Sequence, residues 1–239
     1  MNFLNEGTSA IGTDTFKKMM KIFDAHKAVF KLKTANGDQG TGSLYEVIDK
    51  FNKSRFLIMT CNHVLPSNSI NEIIEATLEF EYIADMKSFL LKKEDLKHIW
   101  TNKLLDATII EISSERANLF KSYGALFLKI SKNIFSNFEF GMLQYPKGIF
   151  SISYGNIESV QGYNVFYQVG TAPGSSGSPL LDPNCNAIAM HKGGQPDSDV
   201  EKPEIWRRAT VLSSVVEAYL VERPQIDPLM CAIWIFTSK

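Results

Sequence analysis

Apolar and polar positions alternate with a period of two along most of the chain. From Ala76 to Tyr82, the apolar Ala76, Leu78, Phe80 and Tyr82 are interleaved with Thr77, Glu79 and Glu81, the pattern of a half-buried strand. Ala28 to Lys33 alternates in the same way. Asn36-Gly37-Asp38 follows as a turn, and Gly40-Thr41-Gly42-Ser43-Leu44 leads into another strand. Phe56 to Thr60 and Leu104 to Ile112 are compact apolar runs of the buried-strand type. Phe150 to Ile157 and Tyr163 to Val169 predict two strands joined by Gln161-Gly162. Leu180-Leu181 and Ala187 to Met190 flank the hairpin turn Asp182-Pro183-Asn184. Phe89 to Trp100 is Lys-rich and reads as a strand or a surface excursion, and Arg116 to Gly124 as a crossover. Helical spacing occurs at the two ends. Phe16, Met19, Met20 and Phe23 share one face near the start; Val211, Leu212, Val215, Val216, Tyr219 and Leu220 form a stripe near the end. The pattern predicts an all-β protein with a short N-terminal helix and a C-terminal helix.

The 239 residues suffice for one two-barrel domain or two small ones. With 44% hydrophobic and 21% charged residues the composition is that of a globular protein, and the 16 Phe residues read as core. A formal net charge of −1 gives no electrostatic case for nucleic acid or an anionic membrane. No apolar run approaches the roughly 20 residues of a membrane span. Cys61, Cys185 and Cys231 are odd in number and lack framework spacing, and the N-terminus lacks the basic and apolar regions of a signal peptide. These features predict a reducing, intracellular, cytoplasmic setting.

Three short stretches carry the chemistry. Thr60-Cys61-Asn62-His63-Val64 places a histidine after an apolar strand. Leu104-Leu105-Asp106-Ala107-Thr108 places an aspartate at the head of another. Gly174-Ser175-Ser176-Gly177-Ser178-Pro179 places serine in a glycine turn. The order is His, Asp, Ser, the order of chymotrypsin-type proteases. A serine hydroxyl is a poor nucleophile at neutral pH unless a base lies within hydrogen-bond reach. Histidine suits that task because its ordinary pKa is about 6.5, and a carboxylate fixes its tautomer and stabilises the imidazolium. Glycines let backbone N–H groups turn toward a developing oxyanion. Asp85 competes with Asp106, but Met86-Lys87 does not continue as an apolar strand. Ser175 and Ser178 compete with Ser176, but only Ser176 has glycine two residues before and directly after it.

On these motifs the chain resembles the chymotrypsin-fold (trypsin-like) serine peptidases, in particular the glutamyl-endopeptidase-like and related intracellular branches. The resemblance runs from about Val29 to Leu220. The serine turn looks like the family's Gly-x-Ser-Gly-[Gly/Ser]-Pro, Thr60 to Val64 its Thr-x-x-His, and Leu105-Asp106-Ala107 its aspartate strand start. His63 and Asp106 lie 43 residues apart and Asp106 and Ser176 lie 70 apart, closer to the bacterial glutamyl-specific members than to digestive enzymes. The resemblance implies two antiparallel six-stranded β-barrels, with a Ser176–His63–Asp106 triad between them and an oxyanion hole from the N–H groups of Gly174 and Ser176. It also implies a serine endopeptidase acting through an acyl-enzyme on polypeptide substrates, with no cofactor and no metal. The expected boundaries are an arm and helix over 1–27 and a protease domain over 28–222. Within that domain, barrel one covers about 28–115, barrel two about 124–205 and the C-terminal helix about 210–222. A tail follows over 223–239.

Several positions depart from the family pattern. Val64 stands where secreted animal members carry a disulfide cysteine. Ser175 replaces the aspartate that pairs with a newly cut N-terminus in zymogen-activated members. Gly170 replaces the aspartate of members that cut after Lys or Arg. Thr171 and His191 occupy the offsets at which glutamyl endopeptidases carry a Thr and a His, resembling a pair that binds a P1 carboxylate; both side chains can donate to one. Relatives with a similar Met-His segment prefer apolar P1 residues, so acidic and apolar preferences both stay open. Gly193 and Gly194 would open the pocket mouth and let a substrate strand pair. The N-terminal arm and the C-terminal tail are where a regulatory partner would attach. The rival reading is a protease-like binding module, catalytically silent or partner-activated. His26 and His98 read as surface residues.

Overall fold

The computed structural model describes residues 21–66, 73, 75–82, 85–194 and 207–223. The N-terminal arm, most of the first helical stripe, the 196–203 loop, the tail and Cys231 lie outside the described residues. Residues 21–25 are helical and run into a 3-10 turn at His26–Ala28.

Two antiparallel β units follow in chain order. The first contains β1 (Val29–Lys33), β2 (Gln39–Ile48), β3 (Ser54–Thr60), β4 (Thr77–Tyr82), β5 (Asp85–Leu90), β6 (Leu96–Asn102) and β7 (Ala107–Ile112). Their order is β5-β4-β1-β2-β3-β7-β6. The second contains β8 (Glu139–Gln144), β9 (Ser151–Gln161), β10 (Asn164–Tyr167), β11 (Pro179–Leu181), β12 (Ala187–Gly194) and β13 (Arg207–Val211), closed into a barrel in the order β10-β13-β12-β11-β8-β9. Helix α1 (Ser114–Ser122) links the units and α2 (Leu212–Glu222) follows the second.

The second unit is the six-stranded barrel expected. The first is a curled seven-stranded sheet whose edge strands, β5 and β6, share no ladder among the described residues. The Lys-rich stretch around Phe89 divides into the end of β5, a 3-10 turn at Lys93–Asp95 and β6. Lys92 and Lys93 lie at the turn and Lys97 on the exposed side of β6, which masks the period-two signal. The crossover holds a helix that alternation does not reveal. Ser113 caps it, its hydroxyl accepting the N–H of Arg116 at 3.1 Å, and Ala117 and Phe120 supply a buried stripe only two residues wide.

Phe120 sits against Phe80 and Phe89, and Phe80 against Phe30, with ring centroids 5.0–5.7 Å apart. Helix α1 thereby seals one side of the first sheet. Each such buried ring is worth about 1.5–3 kcal/mol of transfer free energy. The second barrel is filled by its own inward-facing side chains, among them Phe140, Met142, Val165, Tyr167, Leu180 and Val211.

Two devices join the units. After α1 the chain pairs first with β2, where Leu128 N–H donates to the Leu44 carbonyl at 2.9 Å. It then pairs with β12, where Ala187 N–H donates to the Lys129 carbonyl at 2.8 Å. Helix α2 folds back on the first sheet. Tyr219 Oη and Arg223 Nε donate to Glu111 Oε2 at 2.5 and 2.7 Å, and Arg55 Nη1 reaches Glu111 Oε1 at 3.2 Å. Burial opposes ionisation of Glu111, but these hydrogen bonds and the two guanidinium charges outweigh it and hold the carboxyl below its ordinary range. His26 is buried rather than on the surface: its ring lies between Phe23 and Phe150 and its Nδ1 bonds the Phe23 carbonyl. His98 is half-buried on β6.

Candidate active site

His63 lies just past the end of β3, in a turn closed by Val64 and Leu65 N–H groups donating to the Cys61 carbonyl. Asp106 is the last residue of the turn before β7 and holds the left-handed conformation, φ +51°, which Asp tolerates better than most residues. That conformation aims the carboxylate at His63 from two directions. His63 backbone N–H donates to Oδ1 at 3.0 Å, and the ring Nδ1 lies 2.8 Å from Oδ2. A carboxylate only accepts, so Nδ1 carries the proton and Nε2 is left as the acceptor. β3 and β7 pair in register, Thr60 opposite Thr108, which fixes the spacing of the two turns. Thr108 Oγ1 donates to the Leu65 carbonyl at 2.7 Å and holds the histidine turn down.

Ser176 stands on the turn between β10 and β11. Two glycines there adopt positive φ, Gly174 at +99° and Gly177 at +92°. A Cβ on Gly177 would lie 1.9 Å from the Thr41 carbonyl oxygen, so the turn packs directly on β2. Thr41 clamps it across the interface. Its N–H donates to the Ser176 carbonyl at 2.8 Å and its hydroxyl to the Gly174 carbonyl at 2.8 Å, while the hydroxyl accepts the Tyr145 N–H at 3.1 Å.

The orientation of two amides follows from these partners. The Pro173 carbonyl accepts the Lys147 N–H at 2.6 Å, and the Ser175 carbonyl accepts the Ser178 N–H at 3.1 Å. In a trans peptide the N–H points opposite to the carbonyl, and no peptide bond among the described residues is cis. The N–H groups of Gly174 and Ser176 therefore both face away from those partners, and both residues line one cleft. That cleft, about 510 Å³, is lined by His63, Ser176, Gly174, Pro173, Lys147 and Gln39 among others. Among the described residues no hydrogen bond joins the Ser176 hydroxyl to His63. Such bonds are commonly long in unliganded sites.

Four expected substrate-binding positions lie close by in the chain topology. His191 N–H donates to the Ser178 carbonyl, and its carbonyl accepts the Gly177 N–H, both at 2.8 Å. Its ring is buried and its Nδ1 shares a 2.5 Å hydrogen bond with Tyr167 Oη. Burial, then the charges of Arg207 and His63, push its pKa down to about 3, so the ring is neutral. Thr171 is half-buried on the approach to the serine turn. β11 pairs with β12 over Ala187 to Met190, leaving Gly193 and Gly194 with a ladder partner only on β13 among the described residues. Thr41, Tyr167 and Arg207 are features the sequence reading did not single out. Thr41 was legible only as part of a strand start, and Tyr167 and Arg207 carried no local signal.

Cys61 Sγ, a His63 ring nitrogen and an Asp106 oxygen lie within 4.8 Å of one another, the one grouping among the described residues compact enough to hold a metal ion. Burial, then the Asp106 charge, raises the Cys61 thiol well above its usual range, and its Sγ donates to the His191 carbonyl at 3.1 Å. A thiol so held is a poor ligand.

A curled sheet and a closed barrel, with the histidine and aspartate turns on one and the serine turn on the other, define the chymotrypsin-like double-barrel fold. Solved structures agree. The chain is similar to Rv3671c from M. tuberculosis H37Rv, a serine-to-alanine mutant in an inactive form, with TM-score 0.59, 16% identity, and 92% of this chain and 98% of that chain covered. It is similar to Deg5 with TM-score 0.60, 12% identity, and 90% and 99% covered. The structure described as the Rv3671c protease, inactive form, matches with TM-score 0.59, 16% identity, and 86% and 93% covered. No protein-family model matches the chain, and no curated protein sequence does. No helix among the described residues is long and apolar enough to cross a membrane.

Proposed function

We propose that the chain is a serine endopeptidase whose protease unit spans residues 28–222. The observation that carries the reading is the doubly hydrogen-bonded His63–Asp106 pair opening on the same cleft as Ser176. In this mechanism His63 Nε2 takes the Ser176 proton as Oγ attacks the scissile carbonyl. The Gly174 and Ser176 N–H groups receive the oxyanion, and Asp106 stabilises the imidazolium. His63 then gives the proton to the leaving amine, and water, activated by the same base, releases the acyl group. Lys192 to Gly194 offer an extended backbone along which a substrate strand can lie. The free thiols of Cys61 and Cys185 support a reducing compartment.

The test is labelling by a fluorophosphonate probe, with wild type and Ser176→Ala compared. Labelling of wild type that vanishes in the variant supports the enzyme. A folded wild type that neither labels nor cleaves any peptide overturns it in favour of a peptide-binding module.

A further inference from the structure

We propose that Phe150 and His26 are positioning residues for the oxyanion hole: through them the helical segment over 21–25 holds the turn whose backbone orients the Gly174 N–H. The proposal rests on the peptidase reading of the cleft.

A 3-10 turn over Pro146–Gly148 joins β8 to β9. It meets the serine turn backbone to backbone. Lys147 N–H donates to the Pro173 carbonyl at 2.6 Å, and a Cβ on Gly174 would lie 2.4 Å from the Tyr145 carbonyl oxygen. The Pro173–Gly174 peptide carries the Gly174 N–H, and turning that plane over changes ψ of Pro173 and φ of Gly174. Glycine accepts φ of either sign at little cost, so the local chain sets no strong preference between the two faces of the peptide. The hydrogen bond from Lys147 sets it. With the peptide turned over, a carbonyl oxygen would stand where the N–H donor now does. Loss of one oxyanion donor costs about 10²–10³ in kcat.

The 146–148 turn does not hold itself. Lys147 is left-handed, φ +53°, a conformation that a residue with a Cβ keeps only where its surroundings demand it. The aromatic side chains at the two ends of the turn supply that demand. The buried Tyr145 ring and the Phe150 ring have centroids 5.6 Å apart, which closes the turn at its base. Phe150 lies 5.6 Å from the buried His26 ring, and His26 lies 5.0 Å from Phe23. The ring pair is thus backed by the 21–25 segment and the 3-10 turn after it. That segment is fastened to the body independently. Ile22 packs over Gly141 of β8, where a Cβ would come within 3.0 Å of Ile22 Cδ1, and the Lys27 carbonyl accepts the Leu126 N–H at 3.2 Å. Phe23, His26, Tyr145 and Phe150 are not among the residues lining the cleft, so they reach the reaction only through the turn.

The test uses the full chain, a peptide that wild type cleaves, and the aldehyde of that peptide. Ser176 Oγ adds to the aldehyde carbon, the hydroxyl proton passes to His63, and the former carbonyl oxygen becomes an oxyanion in the hole. Phe150→Ala should lower kcat about tenfold or more with KM within about twofold, and should weaken the aldehyde by the factor lost from kcat/KM. Binding of the uncleaved peptide, measured in a Ser176→Ala background, should change less than about twofold. His26→Ala should act in the same direction, and Phe150→Tyr, which keeps the ring, should restore kcat to within about twofold of wild type. Phe120→Leu, which loosens the core of the first unit, should leave kcat within about twofold when assayed well below its melting temperature. Should Phe150→Ala fail to fold, Phe150→Leu against Phe150→Tyr makes the same comparison. An active wild type whose kcat survives loss of the Phe150 ring, falls as far in Phe120→Leu, or is matched by an equal loss of peptide affinity overturns the assignment and leaves the peptidase standing. A folded wild type that neither labels at Ser176 nor cleaves overturns both.

Discussion

The curled sheet and the closed barrel treat buried charge in opposite ways. In the first unit, Asp49, Glu79, Asp95 and Glu111 are all shielded from solvent, and each meets a lysine or arginine of the same unit or of a helix packed on it. In the second, no ion pair joins two residues of β8 to β13 among the described residues. A neutral, buried His191, hydrogen-bonded to Tyr167, faces its core instead. Charge that is fully answered makes a scaffold.

The comparison can be broken at several points. The largest effect is expected at His63, which the first unit contributes. His63→Ala should lower kcat by about 10⁴-fold or more, since the serine then has no base; stopped-assay peptide hydrolysis measures it. Next is the contact between units. Gly177→Ala puts a Cβ on the Thr41 carbonyl in a positive-φ residue and should cost about 3–4 kcal/mol in chemical denaturation while abolishing Ser176 labelling.

Glu111→Gln leaves Tyr219, Arg55 and Arg223 around a neutral amide and should cost about 3 kcal/mol. Its pH dependence has a definite sign. Because its folded pKa is lowered, the stability it contributes is present above the unfolded value and is lost as pH falls through the folded one. Urea titrations below pH 4 should show wild type converging on the variant. Thr41→Val removes the hydroxyl that bridges Gly174 and Tyr145 and should cost about 2 kcal/mol, with Thr41→Ser recovering most of it.

The smallest expected effect sharpens the contrast. His191 has a folded pKa of about 3, so between pH 6.5 and 3 the unfolded chain binds the extra proton and stability falls as pH falls. His191→Asn should flatten the stability profile between pH 7 and 5 by up to about 2 kcal/mol. The loss tied to His191 thus begins nearer neutrality than the loss tied to Glu111. Half-buried His98 on β6, whose pKa is also lowered by burial, then by the Arg223 charge, acts in the same direction.

Much of this was legible in the residues. Strands β1 to β4, β7 and β9 to β12 were marked by alternation or by compact apolar runs; the serine turn was found from its glycines, and the histidine and aspartate turns from their flanking strands. β5 and β6 were obscured because their lysines interrupt the pattern, and α1 because its buried face is only Ala117 and Phe120. The partners of the three motif side chains were not legible at all. That Thr41 clamps the serine turn is a contact over more than 130 residues. That Tyr167 meets His191 depends on which strand lies beside which. His26 shows the same limit, since nothing local says that Phe150 covers it.

Thr41 has one more consequence. The amides that would face an oxyanion belong to the C-terminal half of the chain, but the turn that carries them is bonded to a residue of the N-terminal half through the Gly174 and Ser176 carbonyls. Neither fragment, expressed without the other, could complete the site. If the chain were divided in the crossover after α1 and its pieces attached to two other proteins, turnover would report that those proteins had met. The seam between the halves is in this sense an assembly sensor written into the backbone.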